Sequence, residues 1–278
     1  MNFKALTDNE VNALAPHTFK YSIAILQHYR RDKNYVGSGT LIQIASRFFI
    51  ATAGHNLVDV PDKCLYMGYS KKKVYEQLPF ISRKPPANER EPDPDVGYLE
   101  ILPETAVLMN EKEFLPLNRP RPFVAAWPTR VFLTGFPAEM VPHASALKNR
   151  FDLPAIGYLT EIRKASELPG QHDESSDIFI DYDLNSIFVE KQPSMAMPKS
   201  PGLSGGGLWA LSINYRSELW TPSDTTLIGI ERSWLENSSS VRCTQIQHWL
   251  RCVADDYPDL TKIIDEYLRS RESGGIGS

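Results

Sequence analysis

Ser204 stands in the run Ser200-Pro-Gly-Leu-Ser-Gly-Gly-Gly-Leu-Trp-Ala-Leu211, two residues after Gly202 and directly before Gly205, Gly206 and Gly207. Glycine serves where the backbone must take unusual dihedrals or approach another group closely. Placed two before a serine, it lets the N–H groups of Gly202 and Ser204 aim at one point, as a developing oxyanion requires. A serine hydroxyl is a poor nucleophile at neutral pH, so it needs a base, and the base needs an orienting group. Of six histidines, His55 has the setting for a base. An apolar strand, Phe48-Phe-Ile-Ala51, runs through Thr52, Ala53 and Gly54 into the imidazole, so small neighbours let another segment pack against the ring. His17, His28, His143, His172 and His248 lack that setting and read as ordinary surface or packed histidines. The orienting carboxylate is expected at Asp95, which directly precedes the apolar run Val96-Gly-Tyr-Leu99. Asp93, between Pro92 and Pro94, reads as a loop residue. A hydrogen bond to the imidazole would offset the cost of burying Asp95 and fix the tautomer.

Those groups need a rigid frame, and the chain reads as many short strands with few helices. Thr7 and Glu10 have capping-box spacing, predicting a short N-terminal helix that ends before Pro16. Strands are expected at 19–27, 36–44, 47–53, 64–69 and 96–102, and a weaker one at 74–81. Lys71-Lys-Lys73 reads as a solvated hairpin tip and 85–92 as a proline-rich loop. Prolines at 120, 122 and 128 suggest a crossing between two halves. Further strands are expected at 130–136, 156–162, 178–182, 207–213 and 227–231. Helices are expected at 241–255 and 258–269, the first carrying Ile246, Leu250 and Val253 at helical spacing, with a disordered tail from 272. This is an all-β pattern, and closing sheets into barrels is one way to hide so many strand edges.

With 278 residues and 42% hydrophobic content the chain can bury a sizeable core. Its net charge of −4 argues against a phosphate-backbone partner, so no nucleic acid is expected. No apolar run is long enough to span a bilayer and the N-terminus carries no signal-like apolar stretch, so no membrane partner is expected. Three cysteines, Cys64, Cys243 and Cys252, are too sparse to imply a disulfide framework. Together these features give the expectation of a cytoplasmic location. No His/Cys/carboxylate group has metal-ligand spacing, so neither metal nor cofactor is expected, and a metal hydrolase is set aside.

Thr52-Ala-Gly-His55, Asp95-Val-Gly-Tyr-Leu99 and Gly202-Leu-Ser-Gly-Gly206 occur in the order His, Asp, Ser. In this the chain resembles the trypsin-like (chymotrypsin-fold) serine peptidases over residues 20–255. Gly37-Ser-Gly-Thr40 resembles the family's strand leading toward the histidine, and Leu227-Ile-Gly-Ile230 the strand lining its substrate cleft. The resemblance implies two six-stranded antiparallel β-barrels with the site in the crevice between them, and a C-terminal helical segment. The implied units are an N-terminal helical extension (1–18), a first barrel (19–118), a second barrel (119–246) and C-terminal helices with the tail (247–278). It implies that Ser204 attacks a peptide carbonyl, His55 moves the proton, Asp95 orients His55, and the N–H groups of Gly202 and Ser204 hold the oxyanion. The implied partner is a polypeptide substrate.

Departures from the pattern carry information. Leu203 occupies the place of the acid that pairs with a new N-terminus in trypsin, and Gly207 that of the family's usual proline. Zymogen activation of that kind is not expected, and the resemblance is nearer to non-zymogen, intracellular bacterial members. Any control of activity would come from a regulatory protein partner or a loop rearrangement. Pro198, six residues before Ser204, corresponds to the pocket floor, with Lys199 adjacent. Glu231 either places a negative charge by the pocket or pairs with Arg232 or another surface cation. Two other readings compete. One is a protease-like scaffold used only for binding. The other is an α/β-hydrolase esterase, with Gly202-Leu-Ser-Gly-Gly206 as the elbow and Asp224 and His248 as partners, although three glycines are a poor helix start.

Overall fold

The computed structural model describes residues 8–29, 33–57, 65–68, 75–77, 80–83, 94–109, 112–118, 130–140, 155–169, 172–183, 198–211 and 221–272. The Lys71–Lys73 tip, the 85–92 loop, the prolines at 120, 122 and 128, Cys64, Asp93, His143 and the tail after Glu272 lie outside these residues, while Glu272 itself ends a helix rather than opening the tail.

The first half holds strands β1 (Ser22–Tyr29), β2 (Lys33–Ile44), β3 (Arg47–Thr52), β4 (Leu65–Gly68), β5 (Tyr75–Gln77), β6 (Phe80–Arg83), β7 (Gly97–Ile101) and β8 (Leu115–Pro116). They form one sheet in the order β5-β4-β1-β2-β3-β7-β6, with β8 pairing β2 in parallel. The second half is a closed six-stranded barrel of β9 (Arg130–Gly135), β10 (Ile156–Arg163), β11 (Asp177–Asp181), β12 (Gly207–Leu211), β13 (Thr225–Leu235) and β14 (Ser240–Gln245), in the order β10-β11-β14-β13-β12-β9. One six-stranded barrel is therefore closed as the sequence implies. The other half is an eight-stranded sheet that closes no ring among the described residues. Its extra pair, β8 on β2, spans two residues and leaves no periodic trace.

The helices are α1 (Asp8–Phe19), α2 (Pro103–Leu108), α3 (Ile246–Asp256) and α4 (Pro258–Glu272). Two expectations fail here. Helix α1 does not end before Pro16; it runs through it to Phe19. Pro16 removes one backbone donor, but Leu14 and Ala15 are buried against the core, and the Thr18 hydroxyl bonds the Leu14 carbonyl at 2.9 Å. Residues 240–245 are strand, not the start of a helix. This run is flanked by β11 and β13, which satisfy its backbone groups, and helix α3 begins only at Ile246. Helix α2 went unread, being a six-residue turn behind Pro103.

Strand β3 shows why a short run can be apolar on both faces. Ile50 faces Ile23, Ile25, Leu41 and Leu99 within the sheet. Phe49 faces outward, where Trp249 of α3 and Tyr257 between the two helices meet it edge-on. The C-terminal helices thus cover the outer face of β3, and the Trp249 indole donates to the Gly97 carbonyl at 2.9 Å. Buried from both sides, the strand that leads to His55 is held stiffly.

Candidate active site

Register brings His55 and Asp95 together. Thr52, the last residue of β3, faces Gly97, the first of β7, so the segment leaving β3 runs beside the one entering β7. The chain turns through a short 3₁₀ segment, Gly54–Leu57. The Asp95 carboxylate then accepts twice from His55, at Oδ1 from the backbone N–H (2.8 Å) and at Oδ2 from Nδ1 (2.7 Å). Burial opposes the imidazolium, yet the bond and charge of Asp95 prevail and raise the His55 pKa above its ordinary 6.5. Burial likewise opposes the Asp95 carboxylate, but the same bonds, with Arg232 further off, hold its pKa below the usual carboxylate value.

Ser204 comes from the other half. It sits in a turn before β12, with Gly202 and Gly205 both at φ +94°. A Cβ on Gly205 would lie 1.8 Å from the Ser38 carbonyl oxygen and 2.3 Å from Thr52 Oγ1, so the turn presses directly onto β2 and β3. Gly205→Ala is expected to cost about 2–4 kcal/mol of stability through clash and backbone strain; a urea midpoint equal to wild type would contradict this packing. The carbonyl of Ser204 accepts from the Ser38 N–H (2.8 Å) and from Nδ2 of Asn56 (2.6 Å), the residue after His55. Its hydroxyl donates to the Arg232 carbonyl at 3.4 Å, and no hydrogen bond joins it to the His55 ring. The N–H groups of Gly202 and Ser204 have no acceptor among the described residues.

Glu231 completes the surroundings of the serine. Its N–H donates to the Gly206 carbonyl and its carbonyl accepts from the Gly205 N–H, both at 2.8 Å. Its side chain is fully buried, with Oε1 accepting from the Ser200 hydroxyl at 3.2 Å and Oε2 without a hydrogen-bond partner. Burial raises its pKa to about 8, against the opposing influence of Ser204, His55 and Ser200. Glu231 is thus no surface residue and does not pair with Arg232. Arg232 and Arg242 both pair with the buried Asp177, Arg232 at 3.3 Å. Arg232 falls at the irregularity in the β13–β14 register, between Glu231 and Ser233. Pro198 is buried, its carbonyl held by the Tyr182 hydroxyl at 2.8 Å; Lys199 is exposed, its N–H donating to Glu139 at 3.0 Å.

The remaining histidines and acids sit elsewhere. His248 contacts the Ser175 carbonyl and His172 the Pro169 carbonyl. Asp224 accepts from the Thr221 N–H at a local turn. The serine turn runs into strand β12 rather than a helix, so the elbow reading with Asp224 and His248 fails on geometry. Cys243 and Cys252 are both buried, with no disulfide between them. Among the described residues no group of His, Cys, Asp and Glu could hold a metal, and no helix is long and apolar enough to cross a membrane. Sequence reading missed the hydroxyl of Ser38, the amide of Asn56 and the Asp177–Arg232 pair. Ser38 stood within a quoted motif and Asn56 directly after one, but nothing in their types signalled that they reach across to the serine turn.

This architecture, with a serine turn packed against the other half of the chain, is shared with solved structures. It matches HL collagenase with a TM-score of 0.52 at 13% identity, over 87% of this chain and 94% of that one. The chain has the chymotrypsin fold. An inactivated protease paralogue of the scabies mite matches with a TM-score of 0.51 at 11% identity, over 86% and 95% of the two chains. The protein Rv3671c of M. tuberculosis, solved as a serine-to-alanine mutant in its inactive form, matches with a TM-score of 0.50 at 15% identity, over 91% and 96%. No family model and no curated protein matches the sequence. The chymotrypsin fold is thus shared with serine proteases, an inactivated one among them.

Proposed function

We propose that the chain is a serine endopeptidase. The observation that carries the reading is the doubly bonded His55–Asp95 pair, placed near a turn in which the N–H groups of Gly202 and of Ser204 itself have no acceptor among the described residues. In this reading His55 carries its proton on Nδ1, facing Asp95, which leaves Nε2 free to accept. Ser204 Oγ bonds to the substrate carbonyl carbon as its proton passes to Nε2, and the carbonyl electrons move to oxygen, held by the N–H groups of Gly202 and Ser204. The C–N bond then breaks and the departing amine takes the proton from His55. Water, deprotonated by the same nitrogen, releases the acyl group and restores the serine.

In this reading the Ser204 hydroxyl must turn from the Arg232 carbonyl toward His55 Nε2. Any activating event in this reading is a loop rearrangement or a regulatory partner rather than a new N-terminus, because Leu203 stands where an acid would receive one. If the purified chain hydrolyses a casein-type substrate fully with nothing added, the partner is dispensed with. For the substrate pocket we assign Pro198 to the floor with Lys199 beside it, and Glu231, protonated at neutral pH, to the end where a basic side chain would draw off its proton.

A fluorophosphonate probe tests the central reading. It is expected to label the wild-type chain at Ser204 and to leave Ser204→Ala and His55→Ala unlabelled. Folded wild-type protein that does not react supports instead the binding-only scaffold; an inactivated protease paralogue shares the fold.

A further inference from the structure

We infer that Ser38 is a positioning residue that locks the Gly202–Ser204 turn with its N–H groups turned outward, an inference that rests on the peptidase reading of Ser204. Ser38 lies on β2, in the opposite half of the molecule from the turn, and is buried. All its polar atoms are committed. Its hydroxyl donates to the Gly202 carbonyl at 2.7 Å and accepts from the Phe136 N–H at 2.8 Å. Its N–H donates to the Ser204 carbonyl and its own carbonyl accepts from the Thr52 hydroxyl, both at 2.8 Å. One hydroxyl thus joins three segments: β2, the chain leaving β9, and the serine turn.

The consequence follows from peptide planarity. In a trans peptide unit the N–H points opposite to the C=O. The Pro201 carbonyl accepts from the Ala138 N–H at 2.7 Å, and the Leu203 carbonyl from the Gly206 N–H, also at 2.7 Å. The N–H groups of these two units belong to Gly202 and Ser204, and both are left without an acceptor among the described residues. Between them, the Gly202–Leu203 unit is fixed at both ends, its carbonyl on Ser38 and its N–H on the Ser200 carbonyl at 2.8 Å. Every carbonyl from Pro201 to Ser204 is therefore occupied, and rotating either outer unit would break a bond. Ser38 controls this twice over. It holds Gly202 directly, and through Phe136 it holds the segment whose Ala138 N–H fixes Pro201. Without its hydroxyl the Gly202 carbonyl and the Phe136 N–H are both left buried and unpaired, and turning the peptide is the available relief.

The test compares wild type, Ser38→Ala and Ser38→Cys, the last keeping the size with a weaker donor. For Ser38→Ala, kcat per molecule titrated at Ser204 is expected to fall about 10²-fold, as for loss of an oxyanion donor, with KM within about threefold. Ser38→Cys should fall between the two. Affinity for a peptide aldehyde, whose adduct puts an oxyanion on the turn, should weaken in parallel with kcat. Independently of any turnover, the amide resonances of Gly202 and Ser204 should shift in Ser38→Ala. Resonances that stay in place, or a lowered thermal midpoint with kcat unchanged, would overturn the inference and leave Ser38 a packing residue. Fluorophosphonate labelling of the wild type judges the peptidase reading separately, so the two failures cannot be confused.

Discussion

Asp95→Asn is expected to lower kcat by about 10⁴-fold while leaving the fold and substrate binding largely intact. The geometry gives the reason. The His55 backbone N–H bonds Oδ1, so in the variant the amide oxygen takes that position and the NH₂ faces the ring. A donor facing Nδ1 obliges that nitrogen to accept, which puts the ring proton on Nε2. Nε2 is then a donor and cannot take the Ser204 proton. The pH profile should move as well. Turnover needs neutral His55, whose pKa in the wild type is raised, so the acid limb of kcat/KM is expected above pH 6.5. Removing the carboxylate should bring it down. The sign for stability follows the same pair. The contribution from His55 is complete below its unfolded pKa of about 6.5 and is lost as pH rises through the higher folded value. That from Asp95 is present above its ordinary pKa and is lost as pH falls through the lowered one. An NMR titration of His55 in both proteins, beside the rate profiles, checks all of this. An unmoved imidazole titration in Asp95→Asn would exclude the pair as the source of the raised pKa.

The second large effect is expected at Glu231. Between its ordinary 4.5 and about 8 the folded chain keeps this carboxyl protonated while the unfolded chain releases the proton. Stability should therefore fall as pH rises across that window, by a few kcal/mol in all. Glu231→Gln keeps the size and the contact with Ser200 but cannot ionise, so its thermal midpoint should decline less steeply than that of the wild type across this window. A substrate cation reaching Oε2 would draw off the proton and supply the missing partner. Preference for a basic over a neutral side chain next to the scissile bond should accordingly rise toward pH 8 and drop at least 10²-fold in Glu231→Gln, because the variant leaves a buried cation unpaired. A peptide library cleaved with the same preference by both proteins would remove Glu231 from the pocket, and the stability measurement would still report its ionisation.

Asp95 and Glu231 also mark how far the residues could be read in order. Asp95 was legible because a carboxylate against an apolar strand needs a partner, and His55 because small residues led to it. Glu231 was legible as an acid after Leu227-Ile-Gly-Ile230, but its partner was not. An adjacent Arg232 looks like an ion pair in one dimension, whereas the chain irregularity at that residue takes the guanidinium to Asp177.

By itself the sequence determined most of the strands, the order of the candidate groups and the glycines of the serine turn, because alternation, small size and turn chemistry are local properties. It did not determine that β3 would be covered from outside by α3 and α4, that residues 240–245 would join the barrel, or that α1 would run through Pro16. Burial decides these against local preference, and burial exists only once distant segments meet. The carbonyl clamp on the Ser204 turn belongs to the same class. Ser38 and Asn56 are ordinary polar residues in the chain, and they reach the serine only because the two halves pack against each other and bury the turn, whose carbonyls must then find protein donors.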